Sequence, residues 1–163
     1  MGAPAPAEWR RESFLVSTRA DRFDLAAIHR FLSGSYWAKG IKEETVRRSI
    51  EHSLCFGVFL EERQIGFARV VTDRSTFAYL ADVYIEESYR RRGLSKWLME
   101  CIVSHPDLQG LRRWLLSTRD AHELYRRYGF TELSSPGKVM ERFDPDIYTR
   151  GAVAPASTER STT

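Results

Sequence analysis

The chain has 163 residues, 42% of them hydrophobic, and a formal net charge of +3. This length and composition fit one globular domain whose core needs no disulfide or metal to hold it. No run approaches eighteen apolar residues, which excludes a helical membrane span. Cys55 and Cys101 are far apart and show no ligand spacing, so they read as buried thiols of a cytoplasmic protein.

Residues 1–10 are rich in Ala and Pro and are expected to be flexible. They lack the charged start and apolar run of a secretion signal. A single domain is expected over 11–150, and the small, polar run 151–163 reads as a disordered tail. Phe14-Leu15-Val16 is a short first strand. Leu25, Ile28, Phe31 and Leu32 recur at helical spacing behind Asp24, a plausible cap. A loop with Tyr36 and Trp37 follows, and then a second helix with Val46 and Ile50 on its apolar side. Leu54–Leu60 and Gln64–Val71 read as strands around the polar turn Glu61-Glu62-Arg63. Phe77–Ile85 is apolar on both faces and reads as a central strand covered on both sides. Leu94, Trp97, Leu98, Cys101 and Ile102 mark an amphipathic helix that must stop by Ser104, before His105-Pro106. Arg113–Ser117 is a strand, and Ala121–Tyr128 a helix ended by Gly129. Two short strands are expected near Phe130–Leu133 and Lys138–Glu141.

The junction at Arg90-Arg91-Arg92-Gly93-Leu94-Ser95-Lys96 carries the most chemistry. A strand runs into an arginine-glycine turn, and a helix starts at once. A helix N-terminus has N–H groups without partners and partial positive charge, and glycine lets a ligand approach the backbone. The combination suits a phosphate or pyrophosphate. Charge points the same way: residues 88–127 hold nine Arg or Lys against four Asp or Glu. The spacing is neither a Walker A loop nor the G-x-G-x-x-G fingerprint.

The pattern R-x-x-G-x-S, from Arg90 to Ser95, resembles the Q/R-x-x-G-x-G/A signature of the GNAT superfamily, the acyl-CoA N-acyltransferases. About thirty residues on, Ala121-His122-Glu123-Leu124-Tyr125-Arg126-Arg127-Tyr128-Gly129-Phe130 resembles the family's A-x-x-L-Y-x-x-x-G-F segment. The resemblance covers roughly residues 11–143. Ser95 departs from the family's Gly or Ala, but it is small and its hydroxyl can meet a phosphate oxygen. The resemblance implies an α/β (α+β) fold, a mixed, mostly antiparallel sheet flanked by helices, in the order βααβββαβαββ. Two of its strands splay apart to admit the acyl-pantetheine arm.

It also implies an acetyl-CoA-dependent N-acetyltransferase that uses no metal and acts on a small-molecule or peptide amine. Backbone groups of Val83, Tyr84 and Ile85 match the positions that pair with pantetheine. Arg90, Arg91, Arg92, Gly93, Leu94, Ser95 and Lys96 match those around the pyrophosphate. Thr118 falls where many relatives carry an Asn that contacts the cofactor arm. Tyr125 matches the tyrosine that gives its proton to the departing sulfur; as a bare residue it could equally be a core tyrosine. Asp82, a carboxylate inside an apolar strand, could be a general base or a structural acceptor. His122 has a suitable pKa but a position that tends to face solvent. Leu116 stands where some relatives carry a basic glutamate. Phe31, Tyr36 and Trp37 match the wall of the acceptor pocket, although Phe31 could be core and the other two could merely pack. A homodimer is compatible with the sequence. Two rivals are a non-catalytic acyl-CoA-binding module on the same fold and a nucleic-acid binder. The second lacks aromatics interleaved with the basic run.

Overall fold

The computed structural model describes residues 5–150. Six strands form one sheet in sequence order: β1 (Glu8–Arg11), β2 (Phe14–Ser17), β3 (Leu54–Leu60), β4 (Arg63–Thr72), β5 (Phe77–Ile85) and β6 (Arg113–Leu116). Neighbours pair antiparallel through β5, and β5–β6 is parallel. A parallel pair needs a long crossover, and helix α3 (Leu94–Ser104) supplies it. Helices α1 (Leu25–Ser33) and α2 (Glu43–Glu51) come before the sheet's centre in the chain, and α4 (His122–Arg126) follows β6. The mixed, mostly antiparallel sheet flanked by helices is the expected architecture.

Strand alternation sorts the core into two layers. Cys55, Phe67 and Tyr84 point to one face, where they meet Ile28 and Leu32 of α1 and Val46 of α2. Their neighbours Phe56, Ala68 and Ile85 point to the other face, against Leu94, Leu98 and Ile102 of α3. The Asp24 carboxylate accepts the Ala27 N–H at 3.0 Å, which caps α1 as its position suggested. Helix α3 ends at Ser104, and His105-Pro106 opens a 3₁₀ turn.

Four expectations need correction. Residues 8–11, assigned to a flexible segment, are strand β1, in register with β2 from Glu8↔Ser17 to Arg11↔Phe14. Trp9 anchors them by stacking on Phe56 at 6.1 Å between centroids. Strand β5 lies next to the sheet's edge, and Phe77 and Tyr79 are exposed, so its first half is covered on one face only. Helix α4 spans only His122–Arg126. The strands expected near 130–133 and 138–141 are absent: the first stretch is irregular, and Pro136–Lys138 is a single 3₁₀ turn. Their apolar residues are those of a strand, but among the described residues they pair with no strand. The expected tail, 151–163, lies outside the described residues.

Candidate active site

The site begins as a pairing defect. Strand β5 pairs with β6 only from Phe77↔Arg113 to Leu80↔Leu116, so the edge of Ala81–Ile85 facing β6 has no ladder. The cause lies in the preceding pair. The register between β4 and β5 shifts between Phe67 and Arg69, where Ala68 opposes both Asp82 and Val83. Asp82 takes a left-handed conformation, φ 54°, to absorb the extra residue. Such a bulge bends its strand and re-aims side chains. Past it, β5 parts from β6, and the backbone of Val83, Tyr84 and Ile85 lines the gap. Gly66 supports this bend from β4: a Cβ there would stand 2.8 Å from the Tyr84 carbonyl oxygen, so a larger residue would push the strand edge out of place.

At the end of β5 the chain turns through Glu87–Tyr89 and enters α3. Arg91 (φ 65°) and Gly93 (φ 75°) are both left-handed, and this curls the backbone into an anion-binding concavity. Gly93 caps α3 without a side chain, and the first intrahelical donor is the Trp97 N–H. The amides of Leu94, Ser95 and Lys96 therefore have no acceptor among the described residues. A Cβ on Gly93 would meet nothing within 4 Å, so the approach to these amides is open. Among the described residues Arg90, Arg91, Arg92 and Lys96 have no carboxylate partner. Two of the nearby acids are taken: Glu86 by Arg63 at 3.0 Å and Glu100 by Arg11 at 3.6 Å. Arg90 donates its Nε–H to the Ile85 carbonyl at 2.9 Å, which ties the loop to the end of β5. The free amides, the surplus cations and the open glycine fit a pyrophosphate.

Tyr125 lies on α4, buried against the α3 layer and edge-on to Phe130 at 6.0 Å. Its hydroxyl makes no hydrogen bond to any described residue. It borders a cavity of about 290 Å³ beside the end of β6, shared with Leu116, Thr118 and His122. Burial pushes its pKa up to about 12, with Tyr36 and Asp120 adding in the same direction. The phenol is a held proton with nothing yet to give it to. Tyr128, three residues on, donates to the Lys96 carbonyl at 2.8 Å and ties α4 to the start of α3.

Asp82 has both oxygens engaged. One accepts the Arg69 Nε–H at 2.7 Å, the other the Trp37 Nε1–H at 3.0 Å. Of the two roles open to it, this geometry is that of an acceptor. The aromatic residues do come together beside the gap. Phe31 stacks on Tyr84 at 3.7 Å, and Trp37 packs against both Phe31 and Tyr36. Tyr36 reaches across to the loop after β6, where the Arg119 guanidinium lies 3.9 Å from its ring centroid and the Arg119 N–H donates to its hydroxyl at 3.3 Å. Tyr36 and Trp37 remain half open to solvent. Thr118 accepts the Ala121 N–H at 3.1 Å, so its oxygen holds the turn into α4, while its own proton is free. His122 is exposed.

Sequence reasoning missed two residues. Arg69 was legible in principle, as a lone cation inside the apolar run Gly66–Val71 that needs a buried counter-charge. Arg119 had no local signal, because its partner lies 83 positions away.

Known proteins share this fold. The profile of the acetyltransferase (GNAT) family matches residues 13–130. The crystal structure of an inferred GNAT-family acetyltransferase from Xanthomonas campestris pv. campestris is 49% identical, with a TM-score of 0.81 over 91% of this chain and 99% of that one. An inferred acetyltransferase from Deinococcus radiodurans superposes with a TM-score of 0.66 at 21% identity, over 92% of this chain and all of that one, and shows the fold alone. An inferred acetyltransferase from Gibberella zeae is 31% identical over 143 residues, 74% of this chain and 80% of its own.

Proposed function

Because the chain belongs to the acetyltransferase (GNAT) family, we propose that it transfers an acetyl group from acetyl-CoA to a primary amine by direct attack on the thioester. The observation that carries this reading is the Tyr125 hydroxyl: kept protonated by burial and without a hydrogen-bond partner among the described residues, beside a cavity at the end of β6.

In this reading the amides of Leu94, Ser95 and Lys96, with Arg90, Arg91 and Arg92, hold the pyrophosphate. The open edge of Val83–Ile85 pairs with the pantetheine amides, as a strand edge can. Tyr36 and Trp37 line the acceptor's entry, where an aromatic wall can hold an ammonium before it loses its proton. The neutral amine nitrogen bonds to the carbonyl carbon, and the carbon–sulfur bond breaks. The sulfur takes the Tyr125 proton, and the amine's surplus proton leaves to water. The phenolate, disfavoured by burial, is reprotonated from solvent. Asp82 serves as a positioning residue that orients Trp37, with Arg69 neutralising its charge.

A second reading has one observation in its favour. Among the described residues no free carboxylate lines the open edge Ala81–Ile85, since Asp82 is paired, and Leu116 occupies the end of β6. An acyl-CoA-binding module would need no base. Free-thiol release from acetyl-CoA across a broad amine panel separates the two. Acceptor-dependent release supports the transferase. Tight CoA binding with no acceptor-dependent release on any amine supports the module.

A further inference from the structure

The aromatic wall beside the gap carries a guanidinium to which acetyl transfer assigns no part. The Arg119 guanidinium lies over the Tyr36 ring, 3.9 Å from its centroid, and the Arg119 backbone N–H donates to the Tyr36 hydroxyl at 3.3 Å. These two contacts hold it against the wall. They leave its side-chain donors unspent. The nearest carboxylate, Asp120, stands 3.8 Å away, too far for a hydrogen bond, and both side chains are largely open to solvent. A guanidinium presents N–H groups in pairs, a geometry that matches a carboxylate.

The wall has no matching place for a second cation. Asp82 is the carboxylate that touches it, through Trp37, and its other oxygen is taken by Arg69. Glu123, on α4, is held by Arg126 at 3.0 Å. A diamine or polyamine would bring its second ammonium to a surface whose unspent charge is positive.

The wall also selects the body of the acceptor. Tyr36 and Trp37 meet edge to face at 5.1 Å, and each is about half exposed. From Asp82 the sheet runs on as an apolar floor. On the face that carries Arg69, Val71 and Tyr79 stand opposite each other in register, and Leu115 of β6 is the next partner in the row. Val71 and Tyr79 are exposed, while α1 and α2 cover the Cys55, Phe67 and Tyr84 part of the same face. A ring is suited to such a surface, because aromatic groups pair edge to face or offset.

We propose that the acceptor is an aromatic α-amino acid: its amine enters the gap, its ring packs against Tyr36 and Trp37, and its carboxylate takes the Arg119 guanidinium. Arg119 is then a specificity-determining residue. The assignment rests on the acetyl-transfer reading of the site. The bond exchange is the same, from carbon–sulfur to carbon–nitrogen, and the products are the N-acetyl amino acid and free CoA.

Phenylalanine and phenethylamine differ by the carboxylate alone. Calorimetric titration of each into protein saturated with CoA reads acceptor binding without turnover. Phenylalanine should bind about ten- to a hundredfold more tightly, as hydrogen bonds between charged groups allow. Arg119→Gln should bring the ratio of the two affinities toward one, and Arg119→Lys should keep part of it. Were Arg119 only a support for Tyr36, the Gln variant would weaken both ligands and leave the ratio as it was, and that result overturns the proposal. So does phenethylamine or spermidine binding as tightly as phenylalanine, and so does a failure of phenylalanine to bind. Free-thiol release from acetyl-CoA separates this proposal from the reading beneath it. Phenylalanine bound with the expected ratio but without thiol release supports the recognition and overturns the transfer. Faster release with phenethylamine or spermidine than with phenylalanine supports the transfer and overturns the recognition.

Discussion

Trp37 and Asp82, 45 positions apart, meet through a 3.0 Å hydrogen bond, and Arg69 closes on the same carboxylate at 2.7 Å. The loop that carries Tyr36 and Trp37 is thereby fastened to the bulge that opens the gap. This decides what Asp82→Asn should do. The amide oxygen still accepts from Trp37, but the Arg69 charge loses its counter-ion in a nearly buried position. Stability should fall by about 1–3 kcal/mol, seen as a drop of several degrees in Tm. The rise of kcat/KM with pH should survive, because it reports the acceptor amine. If the ascending limb disappears in the Asn variant, Asp82 is the base after all.

Tyr125→Phe removes one hydroxyl and keeps the ring against Phe130. Positioned acid–base groups contribute about 10²–10⁴ in rate. A thiolate leaves tolerably well unaided, so kcat should fall about a hundredfold, at the low end. CoA affinity and Tm should be unchanged. Because burial pushes the phenol's pKa up to about 12, its ionisation should impose no fall in kcat up to pH 10. An unaltered kcat in the Phe variant would make Tyr125 a packing residue only.

The phosphate-binding role proposed for Arg90–Lys96 can be tested by calorimetry. Gly93→Val places a branched side chain in the open approach and forces valine into φ 75°, at a cost of about 1–2 kcal/mol. CoA binding should be lost or nearly so. Arg90→Ala removes both a cation and the tie to the Ile85 carbonyl, and should weaken CoA about ten- to a hundredfold. Unchanged CoA affinity in both variants would place the site elsewhere.

Acid should act through His105. The ring is buried between Trp9 and Phe56, and its Nδ1 accepts the Asp107 N–H. Burial lowers its pKa. Asp107 opposes that shift, and Arg74, paired with Asp107, adds to it. With the folded pKa below the unfolded value of 6.5, the unfolded chain binds the proton first. Stability is therefore full above pH 6.5 and declines as pH falls below it. His105→Gln, which can still accept from Asp107, should flatten that part of the curve of Tm against pH. A slope unchanged between the two proteins would assign the acid sensitivity to other groups.

Local chemistry was legible and long-range pairing was not. The Asp24 cap, the stop before Pro106 and the turn from Arg90 to Gly93 each depend on neighbours in sequence, and each was found there. The β1 strand was hidden because its pairing with β2 and its Trp9–Phe56 stack are tertiary, while its flank is Ala/Pro-rich. The two late strands were read from residue type alone, and a strand without a partner has nothing to pair with. At the site, the residues of the gap were found, but the role of Asp82 was left open, because its counter-charge comes from another strand and its φ from a register shift.

That register shift has a consequence for how such a site can be lost. Two residues stand where the partner strand spends one, so shortening β5 by a single residue at Asp82–Val83 would let it lie flat. Its far half could then zip onto the segment after Leu116, and the result would be a longer, tidier sheet with no opening. The pocket is encoded by a residue count before it is encoded by any side chain. Point substitutions at Asp82 should therefore leave the opening in place, whereas a one-residue deletion should erase it while improving the strand pairing around it.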